Sequence, residues 1–81
     1  MARKPIENQL PLPVRHALKE LGMLIVTGRK EKQFTQAELA KRVGVGRMTV
    51  VRMEHGAPEV AIGYYLTPAW ILGLPILSWS A

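Results

Sequence analysis

Seven of the eleven basic residues fall in one stretch: Arg29, Lys30, Lys32, Lys41, Arg42, Arg47 and Arg52, set against Glu31 and Glu38. Residues 29–52 therefore carry +5, equal to the net charge of the whole 81-residue chain, while residues 1–28 contribute +2 and residues 53–81 contribute −2. Guanidinium and ammonium groups at this density suit phosphate, both by charge and by hydrogen-bond donation. A solvated helix face would hold the same residues, so charge alone leaves both readings open. Other chemistry is missing from the pattern. There is no nucleophile–base pair, carboxylate dyad or glycine-rich phosphate loop, which argues against an enzyme. His16 and His55 stand far apart without a carboxylate pair at ligand spacing, and there is no cysteine. Neither a metal site, a disulfide framework nor a cofactor is expected.

The elements that must position these cations read as helices. Residues 1–12 contain Pro5 and Pro11 among polar residues and are expected to form an extended arm. Pro13 suits the first turn of a helix, where its missing N–H costs nothing. From there Val14, Leu18, Leu21 and Ile25 recur at a helical period, with Ala17 and Leu24 widening the stripe and Arg15, Lys19 and Glu20 opposite. Gly22 and Gly28 each weaken this helix by about 1 kcal/mol relative to alanine, so each should have a packing or boundary role. The helix should end around residues 30–32. Thr35-Gln36-Ala37-Glu38 has the form of a capping box and opens a second helix to about Val43. Gly44-Val45-Gly46 breaks it, with Gly44 placed for a left-handed C-cap. A third helix, from Arg47 to about His55, should turn Val50 and Met53 inward before Gly56-Ala57-Pro58 stops it. A fourth is expected from about Ile62 to Leu72, with Pro68 starting a new turn or a kink.

Two short helices joined by a glycine turn inside a basic stretch form the helix-turn-helix pattern. The run Leu21-Gly22, Ile25, Arg29, Phe34-Thr35-Gln36-Ala37-Glu38-Leu39-Ala40, Gly44-Val45, Val50 and Glu54 resembles the lambda-repressor-like (Cro/C1-type, XRE) helix-turn-helix proteins, over roughly residues 14–74. Ala40 is small where the two helices cross, while Leu39, Val45 and Val50 would be buried between them. Three positions depart from the family: Gly46 stands where serine or threonine is usual, Gly28 where leucine is common, and Pro68 is unusual inside the fourth helix. The resemblance implies an all-α fold of four main helices, with a helix-turn-helix domain over residues 13–74 and an apolar tail over 75–81. It implies base readout by Arg47, Met48 and Arg52, since arginine can pair bidentately with guanine and methionine can contact a thymine methyl. Backbone contacts would come from Arg29, Lys30, Lys32, Thr35, Gln36, Arg42 and Thr49. Arg29 and Glu54 would form a structural ion pair.

The expected function is a sequence-specific DNA-binding regulator, a repressor that holds double-stranded operator DNA as a homodimer. Residues around Gly56 to Leu74 also resemble antitoxins paired with HipA-type kinase toxins, so a toxin protein is an alternative partner. Met23, Met53 and Trp70 read as core. Ile76, Leu77 and Trp79 read as a dimer or partner interface, with folding back onto their own core as the bland alternative. Residues 60–81 hold no charged side chain, which gives a lesser alternative, a membrane-tethered regulator. Glycines and prolines interrupt that stretch, so no membrane association is expected. The N-terminal basic residues have no apolar run behind them, which argues against a secretory signal and for a cytoplasmic protein.

Overall fold

A computed structural model describes residues 9–79, and the described residues form four helices. These are α1 (Leu12–Glu31), α2 (Gln36–Val43), α3 (Arg47–Glu54) and α4 (Ile62–Ile71). The expected arm falls mostly outside the described residues, and its last residue, Leu12, is the first residue of α1 rather than part of an extended segment. Helix α1 begins one residue before Pro13, which occupies its first turn. It ends without glycine: Gln33 takes a left-handed φ of 60°, and the Phe34 N–H returns to the Arg29 carbonyl at 3.0 Å. Helix α2 opens on the capping box and closes on Gly44, whose φ is 87°. Pro68 does not end α4, which runs through it as one helix.

Ile25, Leu39, Val50, Met53, Tyr65 and Ala69 are fully buried and form the centre of one core shared by all four helices. Leu18 and Leu21 pack against it, but Val14, Ala17 and Leu24 are exposed, so the inward face of α1 is narrower than its apolar pattern suggested. Met23 and Trp70 are also corrections to the expected core, at 67% and 62% exposed. Met53 alone of that trio is inside. The reason is angular: α1 turns its glycines, not its extra apolar residues, toward the other helices.

A Cβ on Gly22 would lie 2.5 Å from the Glu54 carbonyl oxygen and 2.7 Å from that of Met53. The end of α3 thus rests directly on the backbone of α1. Gly56 repeats the arrangement one turn of α1 earlier, with a Cβ position 2.7 Å from the Leu18 carbonyl carbon and a φ of 72°. Gly28 faces Leu72 and Leu74, which close the core after α4.

The apolar tail folds back. Trp79 donates its indole N–H to the Leu74 carbonyl at 2.8 Å, and both Trp79 and Ile76 pack on the chain's own core. Leu77 remains exposed. Among the described residues no helix is long and apolar enough to cross a membrane. Helix α4 has ten residues, about 15 Å of length against the roughly 30 Å of a bilayer core.

Gly22→Ala should cost about 1–3 kcal/mol in urea denaturation, because rigid carbonyls rather than a flexible side chain oppose the new methyl. A loss below a few tenths would mean that α1 and α3 can separate freely. Tyr65 supplies a pH test. Its hydroxyl donates to the Ala57 carbonyl at 2.5 Å, and burial, followed by the charge of Glu59, pushes its pKa up from 10.0 to about 12. A raised folded pKa means that stability from the neutral phenol is fully present below pH 10 and lost as pH rises through about 12. Tyr65→Phe should cost about 1 kcal/mol at neutral pH. Melting curves should show that deficit closing across the alkaline window, and a deficit unchanged to the end of it would contradict the assignment.

Candidate nucleic-acid interface

The placement of α3 rests on a polar cluster at one end of the molecule. Arg29, near the end of α1, donates from Nε to Glu54 Oε2 at 2.6 Å and from a terminal nitrogen to Oε1 at 3.3 Å. Its other terminal nitrogen donates to the Phe34 carbonyl at 2.9 Å. Gln36 completes the cluster by donating its amide N–H to Glu54 Oε1 at 2.9 Å. The Arg29 and Glu54 side chains are only 11% and 5% exposed. One carboxylate therefore ties together the end of α1, the first residue of α2 and the last of α3. The resemblance to the lambda-repressor-like family implied this pair in the sequence. The share taken by Gln36 and the Phe34 carbonyl did not show, since a side-chain amide and a backbone oxygen carry no pairing signature.

The start of α2 is fixed by reciprocal capping. The Glu38 N–H donates to Thr35 Oγ1 at 3.0 Å, and the Thr35 N–H donates to the Glu38 carboxylate at 2.9 Å. The Thr35 N–H, and after it the Thr35 hydroxyl, hold the Glu38 carboxyl below its ordinary pKa. Beyond this box, the first-turn N–H groups of Gln36 and Ala37 have no partner within the helix by its geometry. They point outward where the helix dipole favours an anion. Arg42 lies on the outer side of α2, its guanidinium 4.3 Å from the centre of the Phe34 ring. Lys30 and Lys32 are exposed at the α1–α2 connection, and Thr49 is half-buried on α3.

Helix α3 crosses α2 after the turn Gly44–Gly46, with Ala40, Leu39 and Val50 buried at the crossing. Gly46 is its N-cap and makes no side-chain cap bond. At 100° per residue, Met48 and Arg52 lie about 40° apart on the side opposite the buried Val50 and Met53. Both are exposed, Met48 at 55%. Arg47 is also exposed, but it sits about 140° around the helix from Arg52, at the N-terminal edge. The two arginines therefore occupy different flanks, with Met48 beside Arg52.

The helix-turn-helix family model matches residues 27–63, which span the end of α1, both crossing helices and the start of α4. An uncharacterized HTH-type transcriptional regulator of Sinorhizobium fredii (strain NBRC 101917 / NGR234), y4mF, is 39% identical over 57 residues, covering 70% of this chain and 75% of the relative. The chain belongs to the helix-turn-helix transcriptional regulators. It is a DNA-binding protein of that family, and α2 and α3 are its two motif helices. Most of α1, the part before residue 27, lies outside the matched region of the helix-turn-helix model.

In this helix-turn-helix unit, Glu54→Gln should destabilise by about 3 kcal/mol, because it leaves the largely buried Arg29 cation without its counter-charge. The double variant R29M/E54M should lose less than the two single losses combined. A double-mutant cycle by denaturation checks this, and additive losses would mean that the pair does not act as a unit.

Proposed function

We propose that the chain is a repressor that binds operator DNA as a homodimer, with α3 in the major groove. Met48 and Arg52 read bases at the centre of the exposed face, and Arg47 reads from its edge. Lys30, Lys32, Thr35, Gln36, Arg42 and Thr49, with the outward hydrogens of Arg29, hold the phosphates around them. The observation that carries this reading is the pairing of Met48 and Arg52 on the outer face of a helix whose inner face is locked into the core. A guanidinium next to a thioether suits a guanine beside a thymine methyl. The work of such a repressor is in the cytoplasm, where the DNA is.

Dimerisation is supported by a second feature. Trp70 stands about 100–140° around α4 from the buried Ala69 and Tyr65 and is 62% exposed, and Ile62 in the first turn is 65% exposed. Gly63 and Thr67 lie beside Trp70 on the same arc and allow close approach. Leu77 adds to the exposed apolar surface, whereas Ile76 and Trp79 are spent on the chain's own core. Packing of two such faces about a two-fold axis would present two recognition helices to half-sites about 34 Å apart.

Selection of bound DNA from a random pool should return a pseudo-palindrome with at least one guanine in each half-site. Arg52→Ala should weaken binding by about 1–3 kcal/mol and relax preference at a single position. An unchanged selected motif would remove Arg52 from base readout. Trp70→Asp should sediment as a monomer and bind the operator at least about tenfold more weakly. A monomer that binds normally would assign this face to a different protein instead.

A further inference from the structure

We infer that a cavity between the first half of α1 and the end of α3 binds a small organic carboxylate. The cavity holds about 190 Å³ and is lined by Arg15, His16 and Lys19 of α1 and by His55 and Pro58 after α3, with Leu12 supplying an apolar wall. Among the described residues no acidic side chain lines it. Arg15 Nε is shielded from solvent and has no hydrogen-bond partner among the described residues. Buried donors of this kind are costly to leave unpaired. A carboxylate in the cavity would satisfy it, because a guanidinium edge matches two oxygens at once. Leu12 and Pro58 would face an apolar body attached to the carboxylate. The volume is below the roughly 300–1,000 Å³ typical of drug-sized ligands, so the ligand is small.

Two features separate this cavity from the DNA-facing surface. Arg15 lies fourteen residues before Arg29 on the same helix, about 21 Å along its axis. The α1 side of the cavity also lies before residue 27 and so outside the helix-turn-helix match. The other side is part of the recognition helix's own ending. The His55 N–H donates to the carbonyls of Val51 and Arg52 at 3.1 and 3.2 Å, and its ring Nδ1 is 2.7 Å from the Val51 carbonyl. A ligand held between Arg15 and His55 would therefore act on the last turn of α3. That coupling, though not ligand binding itself, rests on the DNA-binding reading above.

The test is a titration of the full chain with benzoate, followed by amide NMR and calorimetry, with R15M/K19M as the variant. Saturable shifts are expected at the amides of residues 12–19 and 55–58, with a Kd of about 1 mM or tighter. The variant, its spectrum still dispersed, should bind at least about tenfold more weakly. If the double variant does not fold, Lys19→Met at its exposed position replaces it, with a loss of at least about threefold. Absent shifts, or shifts of equal strength in the variant, would overturn the inference. A variant that ignores benzoate as wild type does, yet lowers the salt slope of operator binding by about 2, would give the cavity to a DNA phosphate. Benzoate binding by a chain that selects no DNA sequence would retain the site and remove the function proposed above.

Discussion

The Glu54 carboxylate is the point on which the helix arrangement depends. It is nearly buried, and it is the last residue of α3. A charge in that position is tolerable only if it is paired and hydrogen-bonded, and Arg29 and Gln36 supply both requirements. Arg29 reaches Glu54 only while α1 lies across the end of α3, and Gln36 reaches it only while α2 starts beside them. The same guanidinium holds the Phe34 carbonyl and so shapes the connection between α1 and α2. Neutralising the carboxylate fixes three helix ends at once. Its net stabilisation is modest by comparison with the cost of breaking it, as expected for buried pairs. Its larger effect is on orientation: the exposed side of α3 has one direction in the molecule.

Close backbone approach supports that arrangement from the other side. Gly22 and Gly56 allow α3 and the chain after it to lie on α1 without intervening side chains. A short chain has little apolar area to bury, so contact at backbone distance is an efficient way to build a dense core. Met53, Ile25 and Tyr65 then fill the space that remains. Tyr65 reaches through the core to the Ala57 carbonyl and ties α4 to the segment that leaves α3. The long α1 is thus a platform. Its last turn, from residue 27, belongs to the matched helix-turn-helix unit, and its first half carries the cavity wall.

The surface is divided by chemistry as well as by position. Cations flank α2 and α3, whereas α4 exposes apolar side chains and no charge. Low charge on α4 removes the repulsion that would oppose contact between two copies, and the basic stretch provides attraction toward a polyanion. The capping box contributes to this division. It places Glu38 at the start of α2 yet keeps its carboxylate turned onto Thr35, leaving the neighbouring N–H groups directed outward.

The sequence by itself determined the helices and the motif, because the signals are local. Thr35 and Glu38 cap within one turn, Gly44 turns the chain where it stands, and Gly56 with Pro58 ends α3. Such features act between residues no more than four apart, so their consequence can be read without knowing the rest of the fold. The family resemblance extended that legibility to one long-range pair, Arg29 with Glu54. Tertiary structure alone decided the rest. Met53 is core while Met23 and Trp70 are exposed, although all three are apolar and lie on helices. Trp79 turns back to the Leu74 carbonyl, Gln36 turns toward Glu54, and Arg15 meets a cavity closed by residues forty positions later. In each case the outcome depends on which helix faces which, and that is set by burial of the whole apolar surface and by the space the glycines leave open, not by the neighbours of any one residue along the chain.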